Sequence, residues 1–303
     1  MIKIERINKE DVQAVEFVDE KKDHREVLGK DLFSEQYANI FFCARKKSGK
    51  SCAIAHIIDK CANSETRIIA FVSTLNRDPT WRAIEKSCAK RNIPFTGYTS
   101  LKDELTKTDI LADIVMTLEE STGEEKAEEP KPRCMALLNV LDDPRTNSKK
   151  KKKEKYKAPK LIFIFDDLSG ELLSPSVTQL LKKNRHFKCK TLISSQYFND
   201  LSLPARKQLD YVLLYRGLAQ SIDKMRDIYR NLDLSVPFET FVQVYRYCTA
   251  KPKKKEGQDA KEWARKNYSF MYIDVVNSEF RKNFSHRIVL PAEDDEAEEE
   301  RVL

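Results

Sequence analysis

The chain is poor in the residues from which metal centres and disulfide frameworks are built. Its seven cysteines include no C-x-x-C pair and it has only four histidines, which argues against both a zinc ribbon and a disulfide-stapled secreted domain. Cys52 and His56 share a helix face, but with so few histidines they read as ordinary core rather than as ligands. Long apolar runs are missing too. The start, Met1-Ile-Lys-Ile-Glu-Arg6, has no signal-peptide core, and no stretch approaches a membrane span. These absences lead us to expect a soluble, reduced, intracellular protein with no membrane insertion.

What is present is charge. Apolar residues make up 41% of the 303 residues and charged ones 34%, which suits a folded body carrying charged insertions. The net charge of +7 understates the basicity of that body, because residues 293–300 hold seven carboxylates in eight positions. Without them the balance is about +14, a surplus that suits a polyanionic partner.

One further absence falls in the most informative stretch, Asn39-Ile-Phe-Phe-Cys-Ala-Arg-Lys-Lys-Ser-Gly-Lys-Ser51. It reads as a short apolar strand (38–43), a tight loop, and a helix over 52–61. That is the layout of a phosphate-binding loop, in which backbone N–H groups and one lysine cradle a nucleotide's phosphates. The closing Gly49-Lys50-Ser51 is intact, but Ala44 stands where the pattern has its first glycine. If that position needs a positive φ, alanine costs about 1 kcal/mol there.

Along the chain, residues 1–36 read as an N-terminal extension. Periodicity predicts strands at 68–72, 94–98, 160–165, 191–195, 211–215 and 269–275, and helices at 79–90, 101–118, 175–183, 221–229 and 238–245. Two segments, 119–133 and 142–158, are too charged to bury and read as flexible insertions around a short helix at 135–141. Strands alternating with helices predict a three-layer α/β/α sandwich with a mostly parallel sheet. The folded domain is expected over 37–290, with an acidic tail at 291–303.

The strand at 160–165 is an unbroken apolar run suited to the centre of a parallel sheet, and it ends in Asp166-Asp167. Ligands of open α/β sheets bind at this edge. Asp166 there would hold Mg²⁺ through water while the Ser51 hydroxyl ligates the same ion, and Asp167 would orient or deprotonate an attacking water. One helix and one strand later comes Gln196, whose amide can donate to a γ-phosphate and accept from that water.

Together, Ser48-Gly-Lys-Ser51, Phe163-Ile-Phe-Asp-Asp167, Asn184-Arg-His186 and Ile193-Ser-Ser-Gln196 resemble the genome-packaging ATPases of large DNA viruses. These are the poxvirus-type members of the FtsK–HerA superfamily of P-loop ATPases, and the resemblance spans about residues 38–217. It implies a RecA-like fold and a homo-oligomeric ring, hexameric or pentameric, that hydrolyses ATP to drive double-stranded DNA into a capsid. Capsid or portal proteins would be its partners, and the host cytoplasm and virion its location, with the nucleus left open. By position it implies ATP binding by Ala44, Arg45, Lys46, Lys47, Ser48, Gly49, Lys50 and Ser51, magnesium at Ser51 and Asp166, and catalysis by Asp167 and Gln196. Arg185 would be an arginine lent to a neighbouring subunit's ATP, with Arg206 and Arg216 as rivals. The sequence departs from the family at Ala44 and at Arg45-Lys-Lys47, where small residues are usual.

Candidate DNA contacts are the basic clusters at 149–157, Lys182-Lys183 and 251–255. Two alternatives stand beside the motor. One is a P-loop helicase or conjugation-type coupling ATPase; the other is a non-catalytic nucleic-acid-binding virion protein.

Overall fold

The structure, a computed structural model, describes residues 23–122, 155–217, 221–250 and 268–290. The expected helix at 135–141, the runs at 149–153 and 251–255 and the acidic tail lie outside them. Nine strands form one sheet: β1 (Asn39–Cys43), β2 (Arg67–Val72), β3 (Phe95–Tyr98), β4 (Leu161–Asp166), β5 (Cys189–Ser195), β6 (Tyr211–Tyr215), β7 (Phe270–Asp274), β8 (Glu279–Lys282) and β9 (His286–Ile288). The helices are α1 (Lys50–Cys61), α2 (Pro79–Lys90), α3 (Ile110–Thr122), α4 (Pro175–Lys182), the single turn α5 (Leu203–Arg206), α6 (Ile222–Leu232) and α7 (Phe238–Thr249).

The strand order is β3-β2-β4-β5-β1-β6-β7-β8-β9, parallel from β3 to β6 and antiparallel beyond. The loop strand β1 and the Asp-Asp strand β4 are therefore not neighbours; β5, which leads to Gln196, lies between them. This is an α/β fold of the RecA-like kind. Its central strands are buried along their whole length, because side chains alternate between two separate cores. Phe41, Phe163 and Phe165 pack on the α3–α4–α6–α7 side. Ile40, Phe42, Ile162 and Ile164 pack on the α1–α2 side.

Three expectations are corrected. Residues 101–109 are not helical. The Asp103 carboxylate accepts from the N–H groups of Leu105 and Thr106, Lys107 takes a φ of 58°, and Lys102 bridges Asp109, so a closed turn replaces the first helical turns. Helix α3 begins only at Ile110 and runs to Thr122, so Glu119 completes a helix instead of opening an insertion. Strands β8 and β9 were not foreseen, since they are short and only partly buried.

Within the expected N-terminal extension, Leu32 and Phe33 are core residues. The Tyr272 hydroxyl donates to Leu32 O (2.9 Å), and Ser34 Oγ and the Tyr211 hydroxyl lie 2.9 Å apart. Lys190 on β5, itself 1% exposed, donates its Nζ to Glu35 O (2.8 Å) and lies over the Phe33 ring. Burial lowers the Lys190 pKa from its ordinary 10.5, only partly opposed by Cys61, Asp210 and Glu35. In the window between that lowered value and 10.5 the unfolded chain binds a proton that the folded chain does not, so this group makes stability rise with pH there. Chemical unfolding of wild type and Lys190→Met across that window should show the wild type gaining on the variant as pH increases.

Candidate functional site

The site is built where the parallel strands end. Helix α1 starts at Gly49, whose φ of 89° lies in the left-handed region, and Lys47 before it has a φ of 61°. Those two positions make the tight turn. Ala44 is not among the positive-φ residues; it is 2% exposed, packs in the α1-side core, and donates its N–H to Ser195 O (2.9 Å). The strain foreseen for alanine at this position is therefore absent. Arg45, Lys46 and Lys47 are exposed along the rim. The Ser48 hydroxyl is buried and has no hydrogen-bond partner.

Lys50 points inward from the first turn of α1 and is 7% exposed. Its Nζ lies 3.0 Å from Asp166 Oδ1, an ion pair without hydrogen-bond alignment, and also contacts Asp167 Oδ1. Asp166 is 2% exposed, and burial raises its pKa, with Lys50 opposing that rise and Asp167 adding to it. Helix α2 fixes the other carboxylate oxygen. Asp78 caps α2 by accepting from Thr80 N–H (2.8 Å), Pro79 occupies its first turn, and the buried Trp81 donates its indole N–H to Asp166 Oδ2 (3.2 Å). Asp167 has a φ of 57°, in the region that aspartate tolerates better than most residues, and strained backbone of this kind collects at functional sites.

Gln196 follows β5, whose Ser194 and Ser195 pair with Asp166 and Cys43. This sets it level with the loop on one side and the carboxylates on the other. Burial pushes the Cys43 thiol up to about 12, so it stays protonated and donates to Gln196 O (3.7 Å). Gln196 lines a cavity of about 620 Å³ with Arg45, Lys46, Tyr197 and Lys224. Lys50, Asp166 and Asp167, read separately from the sequence, thus meet, while Gln196 follows the strand that lies between β1 and β4 and Ser51 follows Lys50 on α1.

Arg185 is not part of this convergence. It precedes β5, at the opposite edge of the sheet, with its side chain 69% exposed and 3.9 Å from Asp210. Arg206 bonds Leu201 O and lies over Phe198, while Arg216 bonds Thr249 O and Ala250 O at the end of β6. Cys52 is exposed and not core, as is His56, and the described residues hold no cluster of three or more His, Cys, Asp or Glu poised for a metal. Trp81 and Tyr268, whose ring lies against Gly49, escaped sequence reasoning. Each meets its partner through tertiary packing, so no local pattern marks it. Lys183 of the expected basic pair Lys182-Lys183 is held by Glu119 (2.6 Å). No described helix is long and apolar enough to cross a membrane.

No family model matches the sequence, and no curated protein sequence does. Solved structures similar to the chain include the genome packaging NTPase B204 of Sulfolobus turreted icosahedral virus 2 in complex with AMP. That match has 14% identity and a TM-score of 0.46 and covers 84% of this chain and 100% of that one. The DNA-packaging ATPase B204 of Sulfolobus turreted icosahedral virus follows, with 14% identity, a TM-score of 0.42, and coverage of 84% and 98%. The cytoplasmic domain of the Thermomonospora curvata type VII secretion ATPase EccC gives 15% identity and a TM-score of 0.37, over 66% of this chain and 23% of that one. The likeness is distant, and the chemistry of the site rests on its own geometry.

A Cβ at Gly49 would lie 2.6 Å from the Tyr268 ring, on top of the strain of a left-handed φ. Gly49→Ala should therefore lower stability by about 2 kcal/mol or more in urea unfolding. Combining it with Tyr268→Ala should give a smaller loss than the two single effects added, because the collision is removed.

Proposed function

We propose that the chain is an ATP-hydrolysing motor that translocates double-stranded DNA, and that it packages a viral genome. The observation that carries the ATPase reading is Lys50, from the helix after the loop, meeting Asp166 and Asp167 with Gln196 at the end of the intervening strand. The sequence resemblance supplies the particular kind of motor.

The residues suit a magnesium–nucleotide complex. One ammonium facing two carboxylates leaves negative charge for a divalent cation to balance, and the buried Ser48 hydroxyl lacks a partner that a phosphate oxygen would provide. Ser51 and Asp166 would hold Mg²⁺, with phosphate oxygens and water completing the shell. The ion when bound neutralises charge on the β- and γ-phosphates. Lys50 would turn from Asp167 to the phosphate oxygens, and Asp167, released, would accept a proton from the attacking water. Gln196 would orient that water, and Trp81 keeps Asp166 from rotating away from the ion.

Arg185 would act on a neighbouring subunit's nucleotide. From the opposite sheet edge it could reach a nucleotide only across an interface, so this role requires the ring. The domain would reach from the strap at 32–36 to about residue 290, with the charged stretches between 123 and 154 as insertions.

Hydrolysis of ATP by the wild type should rise on adding double-stranded DNA. Lys50→Ala should lose nucleotide binding, whereas Asp167→Asn should bind ATP yet hydrolyse it about a hundredfold more slowly or worse. Turnover that neither substitution reduces would sink the ATPase reading, and turnover indifferent to DNA would sink translocation. Mixing Arg185→Ala subunits with Asp167→Asn subunits should restore hydrolysis that neither has alone; no restoration removes Arg185 from the role.

A further inference from the structure

The strand order gives the loop two unlike flanks. Strand β4, with Asp166 and Asp167 at its end, lies two strands from β1 on one side, and β7 lies two strands away on the other. Because β7 runs antiparallel to β6, pairing Phe270 with Tyr215, it begins at the edge where the parallel strands end. Tyr268 stands just before it. Its ring lies against Gly49, yet 44% of the residue is exposed. Its position is fixed from behind: Arg216 donates to Ala250 O (2.8 Å) and Ser269 Oγ (3.4 Å), and Phe270 N–H donates to Asn283 Oδ1 (3.1 Å). An exposed, anchored aromatic ring thus adjoins the phosphate-binding turn on the flank away from the carboxylates.

We propose that Tyr268 is the surface on which the purine of a bound nucleoside triphosphate stacks. This rests on the nucleotide reading of residues 44–51. With the terminal phosphate drawn to Lys50 and the metal-holding carboxylates on the β4 side, the nucleoside end extends toward the β7 side, where Tyr268 presents its ring. Stacking on a tyrosine face is tolerant of base identity and needs no hydrogen-bond code. Tyr268 would therefore contribute affinity for nucleosides over bare polyphosphate, without choosing between purines. The same ring excludes any side chain at Gly49, so it has a second, purely structural effect on the loop, and the experiment must separate the two.

Calorimetric titration of the full chain with magnesium-ATP and, separately, with inorganic tripolyphosphate does so. Tyr268→Ala should weaken ATP binding about tenfold while leaving tripolyphosphate binding unchanged, and Tyr268→Phe should keep both at the wild-type level. Unchanged tripolyphosphate binding also reports that the variant's loop is folded. Equal losses for the two ligands would show that the ring only props Gly49, and an unchanged ATP affinity in Tyr268→Ala would mean that it touches no base; either overturns the proposal. A wild-type protein that binds neither ligand, or a Lys50→Ala protein that binds both normally, overturns the phosphate-loop reading itself and the stacking role with it.

Discussion

The Lys50 ammonium, nearly withdrawn from solvent, ties the loop helix to the two carboxylates that end β4, the second of them 117 positions further along the chain. A charge so placed is tolerable only if its partners are held within reach, and removing one partner of a buried pair typically costs about 3–5 kcal/mol. The rest of the site follows from that demand. Strand β5 must lie between β1 and β4, Gly49 must turn the chain so that the lysine points inward, and Trp81 must hold the far oxygen of Asp166. The group is also unbalanced, one cation against two anions, which is the charge that the proposed magnesium–nucleotide complex would offset.

The sheet supplies the rigidity such an arrangement needs. Its central strands bury both faces, each in a separate core, so a shift of one residue in register would carry every side chain from one core to the other. The ends of β1, β4, β5 and β6 are thereby fixed relative to one another. The strap formed by Leu32 to Gln36 closes the opposite edge through Tyr211, Tyr272 and Lys190, leaving the carboxyl edge as the place where the loops converge. The candidate site and the strap thus lie at opposite ends of the same strands.

Much of this was legible in the sequence. The apolar run before Asp166 marked a buried parallel strand, periodicity marked the helix at 79–90, and Gly49-Lys50-Ser51 marked the loop. Residues 101–109 were misread because an apolar rhythm hides the side-chain-to-backbone bonds of Asp103, which outcompete a helix. Strands β8 and β9 were missed because half-exposed strands at a sheet edge are held by their neighbours more than by their own composition. Ala44 looked like damage to the motif, yet the positive φ falls at Lys47 and Gly49, and alanine fits the core at the position it occupies.

The sequence by itself determined most of the strands and helices and the strand–loop–helix layout around Gly49, since periodicity and glycine placement are local properties of the chain. Only the tertiary structure decided that Lys50 faces both Asp166 and Asp167, that Trp81 steadies one of them, that Tyr268 covers Gly49, and that Arg185 lies at the far edge. Those relations depend on strand order, which arises from packing two apolar faces at once and is written in no single stretch of residues.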